Sequence, residues 1–209
     1  YLVAALVLPF VPIPRRDVDA SAEGPQPLLH AIRELNIFWH SVSLRRSTII
    51  STLGFIGIAG VVIAAPLIGQ DLAGDPGIGA LLLTAMAAGA LAGSAVVARR
   101  PIRRRGPGTT VVLSTLTLGL CMTALAAVPS MPIAFVVVAV LGFLQAPQLT
   151  AVMQVRDRES PEQVRSLVFV AAASLKTGAF AVGAVLAATL VDLGWRPLLL
   201  AGALVEVAA

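Results

Sequence analysis

Long apolar stretches separated by short polar segments dominate the chain. A helix needs about 20 apolar residues to cross a hydrocarbon core of about 30 Å. Tyr1–Val11 and Trp195–Ala209 are shorter than this, so we predict partial spans there and expect the chain to be a piece of a longer protein. The stretches that reach the full length predict membrane-spanning helices at Thr48–Gly69, Ile78–Ala98, Thr109–Val128, Met131–Met153 and Ser166–Val191.

The composition agrees with a membrane protein. Hydrophobic residues make up 57% of the chain and charged residues only 12%, whereas soluble domains contain about 25% charged residues. A soluble globule could not keep so much apolar surface away from water. Helices are favoured over transmembrane strands, because the apolar stretches are continuous and rich in Ala and Leu rather than alternating.

The polar segments alternate in charge along the chain. One alternate set of loops contains Arg196 as its only basic residue, with Asp71, Asp75 and Asp192. Cytoplasmic loops of membrane proteins are enriched in Lys and Arg, so we place the other, Arg-rich set in the cytoplasm, against anionic lipid heads rather than nucleic acid. That set holds Arg15, Arg16, Arg33, Arg45, Arg46, Arg99, Arg100, Arg103, Arg104, Arg105, Arg156, Arg158 and Arg165.

The longest polar segment, residues 15–46, divides the chain. We predict the end of a membrane helix at 1–14, a cytoplasmic loop at 15–46 and a transmembrane bundle at 47–209. Leu28, Ile32 and Leu35 share one helical face, which predicts a short amphipathic helix in the headgroup region. A plain linker is the alternative.

A capping pattern occurs at Ser160–Gln163. It places a Ser at the cap, a Pro at the first helical position and a Gln three residues after the cap. This pattern predicts a helix that starts at Pro161.

Two stretches resemble one efflux branch of the major facilitator superfamily. Ala31–His40 is similar to the lead-in before that branch's seventh helix, and Arg158–Phe169 to its loop into the eleventh. The branch includes bacterial siderophore exporters and macrolide or tetracycline efflux proteins. The resemblance implies an all-α membrane protein, the C-terminal six-helix bundle of a twelve-helix transporter, truncated at both ends.

By this resemblance, Gly93 and the following basic cluster correspond to the family's loop between helices eight and nine. The acidic position of that loop falls near Val97 and is missing, which favours a role in setting topology over a role in gating. The gating candidates are Arg99, Arg100, Arg103, Arg104 and Arg105.

Lys176 is the main candidate for a functional residue inside the membrane. It lies about ten residues into its helix, so about 15 Å deep at about 1.5 Å per residue. A cation at that depth must face a watery cavity or a partner. It could attract an anionic substrate, pair with a carboxylate of the other half, or take part in proton coupling. The alternative is a structural Lys bonded to backbone carbonyls.

Further candidates lie on neighbouring spans. Gln145 and Gln148 are three residues apart, so they share a helical face, and Pro147 between them frees a backbone carbonyl. The glutamines could bind substrate or bond neighbouring helices. Phe55 and Phe143 could form apolar cavity walls, although packing is the commoner role of phenylalanine in a span.

Other polar and small residues are expected to be structural. The resemblance keeps the last helix peripheral, so we do not expect Glu206 to carry protons. The pairs Gly89/Gly93 and Gly178/Gly183 favour close helix packing.

The sequence contains no signature of an enzyme or an ATP-driven pump. His30 and His40 have no Cys or carboxylate cluster beside them, and the single Cys121 cannot form a thiolate metal site or a disulfide framework. No P-loop or other catalytic motif occurs. We predict neither catalytic residues nor a cofactor.

The resulting hypothesis is half of a secondary transporter in the bacterial cytoplasmic membrane. It would export small, largely apolar compounds by alternating access, driven by an ion gradient, most simply protons, with the N-terminal half of the same protein as its partner. An importer of the same fold and a non-transporting sensor or scaffold are the alternatives.

Overall fold

The computed structural model describes residues 41–99, 106–162 and 164–209. The predicted helix within residues 1–14, the amphipathic segment, and Arg100, Arg103, Arg104 and Arg105 lie outside these ranges. The described residues form six α-helices and no strand. The helices are α1 (Val42–Ala73), α2 (Pro76–Arg99), α3 (Pro107–Ala126), α4 (Met131–Glu159), α5 (Arg165–Thr189) and α6 (Trp195–Ala208).

The predicted spans are confirmed as helices. The five helices α1 to α5 are long and apolar enough to cross a membrane, and α6 corresponds to the partial span at the end of the chain. Helix α1 begins earlier than predicted, because Ser41 caps it by accepting a hydrogen bond from the Leu44 amide at 3.3 Å. Residues 42–46, which we predicted as loop, are therefore helical.

The predicted capping box at Ser160 is wrong. Helix α4 continues through Glu159, beyond the predicted end at Met153, and Ser160 ends this helix instead of starting the next one. Backbone conformation explains the difference, because Pro161 disfavours the helical region for the residue before it, and Ser160 is extended (φ −98°, ψ 124°). Helix α5 begins only at Arg165, after a turn in which the Val164 amide donates to the Pro161 carbonyl.

Helix α1 lies at the centre of the bundle and contacts all five other helices, while α6 packs against both α1 and α3. Two long-range hydrogen bonds define the ends of the bundle. At one end, the Ser41 hydroxyl donates to the Glu159 carboxylate at 2.6 Å. At the other end, the Trp195 indole donates to Asp71 at 2.9 Å.

Helices α2 and α4 approach each other closely through glycine. A Cβ atom added at Gly89 or Gly142 would overlap a backbone carbonyl of the facing helix. Gly93 lies against the Phe143 carbonyl, the acceptor that loses its helical partner because Pro147 has no N–H. The predicted packing role of the Gly89/Gly93 pair is thus confirmed. In the second pair, Gly183 packs against Ile56, whereas Gly178 has no atom within 4 Å of its added Cβ.

Large aliphatic side chains cover the outside of the bundle. Leu91, Leu120 and Leu204 are 74%, 67% and 70% exposed, respectively. Soluble monomers rarely expose contiguous apolar surface on this scale. In a bilayer the same side chains contact lipid, and the polar groups are left to the interior.

Candidate functional site

A cavity of about 130 Å³ lies among α1, α2, α4 and α5. Its wall brings together Phe55, Gln145, Gln148 and Lys176, which come from three different helices. The remaining sequence-predicted candidate, Phe143, does not line it, and its carbonyl lies against Gly93 instead. Ser51, Gly54, Ile58, Ala90, Ser94, Ala146, Leu149 and Val152 complete the wall.

Lys176 lies in this wall with only 9% of its side chain exposed. Its Nζ is 4.8 Å from the centroid of the Phe55 ring, a distance at which the ring face attracts a cation. No carboxylate lies within 4 Å of Nζ among residues 41–99, 106–162 and 164–209. The ammonium is therefore held by an aromatic face and remains available to a polar group that enters the cavity.

The two glutamines have different partners. The amide of Gln145 contacts the Met86 sulfur on α2 at 3.8 Å, a weak interaction that a better acceptor could replace. The amide of Gln148 donates to the Thr115 hydroxyl at 2.9 Å and to the Glu206 carboxylate at 3.3 Å. Gln148 thus joins α4 to α3 and α6, in addition to lining the cavity.

Glu206 is not peripheral as the sequence analysis expected. Its side chain is 1% exposed, because α6 packs against α1 and α3 and turns this face into the bundle. Oε1 accepts the bond from Gln148, and Oε2 has no hydrogen-bond partner within the part of the chain that the structure describes. The sequence contained one signal for this burial, because Gly202 precedes Glu206 by one helical turn and small residues favour close helix packing. In the structure, Gly202 lies against Gly57.

Arg156 is the residue that the sequence analysis missed. We placed it in a cytoplasmic loop, but α4 continues past it and its side chain is 1% exposed. Its guanidinium donates to the Ser51 hydroxyl at 3.3 Å, and its Nε has no partner among the described residues. Its spacing could have identified it, because Gln148, Val152 and Arg156 recur every four residues on one helical face.

Of the gating candidates Arg99, Arg100, Arg103, Arg104 and Arg105, the structure describes only Arg99, which is exposed at the end of α2. Their predicted roles in topology or gating stay predictions. Over the described ranges, no three His, Cys, Asp or Glu side chains come together as a metal site would require.

A bundle of apolar helices long enough to cross a membrane, with a partly polar cavity between them, defines a polytopic α-helical membrane protein. The chain belongs to the Major Facilitator Superfamily, whose family profile matches residues 47–209. This membership agrees with the predicted all-α helical bundle.

The chain is also similar to a protein named as an efflux pump. The chain is 32% identical over 114 residues to the multidrug efflux pump Tap of Mycolicibacterium fortuitum. The match covers 53% of this chain and 27% of the pump, so it spans about a quarter of that protein's length. No solved structure matches the chain.

Proposed function

We propose that the chain is the C-terminal bundle of a proton-coupled efflux transporter that exports small, largely apolar compounds by alternating access. The cavity is the main support for this proposal. Six of the twelve lining residues are aliphatic or aromatic. The polar groups of the wall come from Ser51, Ser94, Gln145, Gln148 and Lys176. A wall of this kind suits a compound with a large apolar surface and a small number of polar atoms.

The direction and the energy source are inferred separately. The likeness to a protein named as a multidrug efflux pump favours export. The chain belongs to the Major Facilitator Superfamily, whose members are secondary transporters, so an ion gradient, most simply protons exchanged for substrate, would supply the energy. The N-terminal half would close the cavity from its other side, since such transporters bind substrate between two rocking bundles.

The test uses the full-length parent protein in a bacterial host that lacks its own efflux pumps. Cells are loaded with Nile red, a neutral apolar dye, and its loss is followed with and without a protonophore. The variant is Lys176→Ala. Leu175→Ala is the matched control, because it shortens a neighbouring exposed side chain that does not line the cavity.

We expect protonophore-sensitive dye loss in the wild type and in Leu175→Ala. Lys176→Ala should slow this loss about tenfold, which corresponds to about 1.4 kcal/mol of lost stabilisation. Dye loss that is indifferent to the protonophore would contradict proton coupling. No dye loss from a well-expressed wild type would contradict broad export of apolar compounds and favour an importer or a narrow-substrate exporter.

A further inference from the structure

Glu206 is a buried carboxyl group that the proposed transport path does not yet use. Intramembrane carboxylates are rare and cost free energy, and buried polar groups are normally hydrogen-bonded. Glu206 receives one hydrogen bond, at 3.3 Å, and its Oε2 has none from the residues that the structure describes. Burying an ionised carboxylate without an ion pair costs free energy, whereas the neutral acid needs no counter-charge.

Two glycines of α1 make room for this carboxyl group. A Cβ added at Gly54 would lie 2.8 Å from Oε2, and one added at Gly57 would lie 3.4 Å from the same oxygen. The recess brings the carboxyl group against the α1 backbone. Gly54 also lines the cavity, so the recess and the cavity share one wall residue.

The charged groups of the surrounding helices leave Glu206 without an ion pair. Its contacts include Gly54 and Gly57 on α1, Gly119 on α3 and Gln148 on α4, none of which is titratable. No cation lies within 4 Å of the carboxylate across the described ranges. The other titratable or charged side chains of α6 and of the helices that contact it are Arg196 on α6, Arg45, Arg46 and Asp71 on α1, Cys121 on α3, and Arg156, Asp157, Arg158 and Glu159 on α4. On the cavity side, α5 carries Arg165 and Lys176.

Gln148 connects this carboxyl group to the cavity. Its side-chain nitrogen has two N–H donors, and both are used, one on Thr115 and one on Glu206. A hydrogen bond to an ionised carboxylate is stronger than one to a neutral acid. Protonation of Glu206 would therefore weaken one of these bonds and free a donor on a residue that lines the cavity.

We propose that Glu206 binds and releases a proton, and that Gln148 transmits this change to the cavity. The step forms one O–H bond at Oε2, and a hydronium ion that reaches the recess gives up the proton and leaves as water. The role of the site in transport rests on the proposed proton-coupled export. Protonation itself can be measured without transport.

The experiment is infrared difference spectroscopy on the purified full-length parent, recorded between acidic and alkaline pH. The band measured is the C=O stretch of a protonated carboxylic acid. Glu206→Gln removes the acid and keeps the size of the side chain, so it should fold in the same recess. Gln148→Leu keeps the acid and removes its hydrogen-bond donor. Glu159→Gln is the control, because Glu159 is exposed at the end of α4.

We expect a titrating acid band in the wild type and in Glu159→Gln, loss of that band in Glu206→Gln, and a shifted band in Gln148→Leu. An unchanged band in Glu206→Gln would overturn the proposal. If Glu206→Gln does not fold, the Gln148→Leu spectrum decides, and an unshifted band there would also overturn it.

The same preparation separates this inference from the proposed function. Suppose that the acid band is assigned to Glu206 but the protonophore does not change the rate of Nile red loss. This result would support the proton site and contradict proton-driven export. Protonophore-sensitive dye loss that is unchanged in Glu206→Gln would support proton-driven export and contradict a role for this site in it.

Discussion

Three ionisable side chains, Arg156, Lys176 and Glu206, are buried in the bundle, and each is held differently. Lys176 lies over an aromatic ring, Arg156 donates to one hydroxyl, and Glu206 accepts from one amide. None pairs with an opposite charge within 4 Å among the described residues. Lys176 lines the cavity, whereas Arg156 and Glu206 lie behind its wall and contact the lining residues Ser51 and Gln148, respectively. Since such groups are costly inside a membrane, we propose that they serve function rather than stability.

Lys176 could be predicted from the sequence because its depth follows from counting residues along one helix. Arg156 and Glu206 could not be placed in this way. Arg156 was predicted in a loop but lies in a helix, and the last helix was predicted to be peripheral but packs against α1 and α3. The first error concerns where a helix ends, and the second concerns which side of a helix faces the bundle, which depends on neighbouring helices.

At this scale we predict that Gly54→Ala impairs transport without unfolding the protein. The added methyl group would meet the Glu206 carboxyl at 2.8 Å, and the end of that flexible side chain can move aside. The displacement should weaken the bond from Gln148 and shift the acid band of Glu206. The checks are the infrared spectrum and Nile red loss, together with the melting temperature of the purified full-length protein. An unshifted band would show that Gly54 does not set the position of the carboxyl group.

At the scale of elements, glycines and a proline determine how closely the helices pack. In a bilayer, helices associate through van der Waals packing and not through exclusion of water, so small residues at the contact have a large effect. Gly142 and Gly89 bring α2 and α4 together, and Gly183 brings α5 against α1. The sequence predicted the small-residue pairs, but it could not distinguish Gly183 from Gly178.

We predict that Gly142→Ala destabilises the bundle and that Gly178→Ala does not. At Gly142 the new Cβ would overlap the Met86 carbonyl on α2, which cannot move without shifting a helix. Overpacking of this kind costs about 1–3 kcal/mol. At Gly178 the added Cβ meets nothing within 4 Å, and Ala is the better helix former by about 1 kcal/mol.

The measurement is the melting temperature of each full-length variant in detergent. We expect a lower value for Gly142→Ala and an unchanged or slightly higher value for Gly178→Ala. A drop in Gly178→Ala of equal size would show that another part of the full protein packs at that position.

At the scale of the whole molecule, the two ends of the described bundle carry different charged residues. The Ser41–Glu159 bond lies at the end that holds Arg158 and Arg165, and the Trp195–Asp71 bond lies at the opposite end, near Asp192. The positive-inside rule would place the first end in the cytoplasm. This assignment of sides stays a prediction.

Cysteine labelling in intact cells tests it. In a Cys121→Ser background, we expect a membrane-impermeant maleimide to label Asp192→Cys but to label Arg158→Cys only after the cells are permeabilised. Both positions are exposed, so access to the outside should decide the result. The opposite labelling pattern would mean that the bundle is inverted in the membrane.

The sequence by itself determined the class of the protein, the number of whole spans and their positions to within a few residues. These properties are local, because the apolar length of a stretch decides whether it can cross a bilayer. Only the tertiary structure decided which polar groups meet. The hydrogen bond from Gln148 to Glu206 joins residues 58 positions apart in the sequence, and the one from Arg156 to Ser51 joins residues 105 positions apart. Such pairs depend on the rotation and close approach of whole helices, which glycine contacts set and which no local pattern of residues contains.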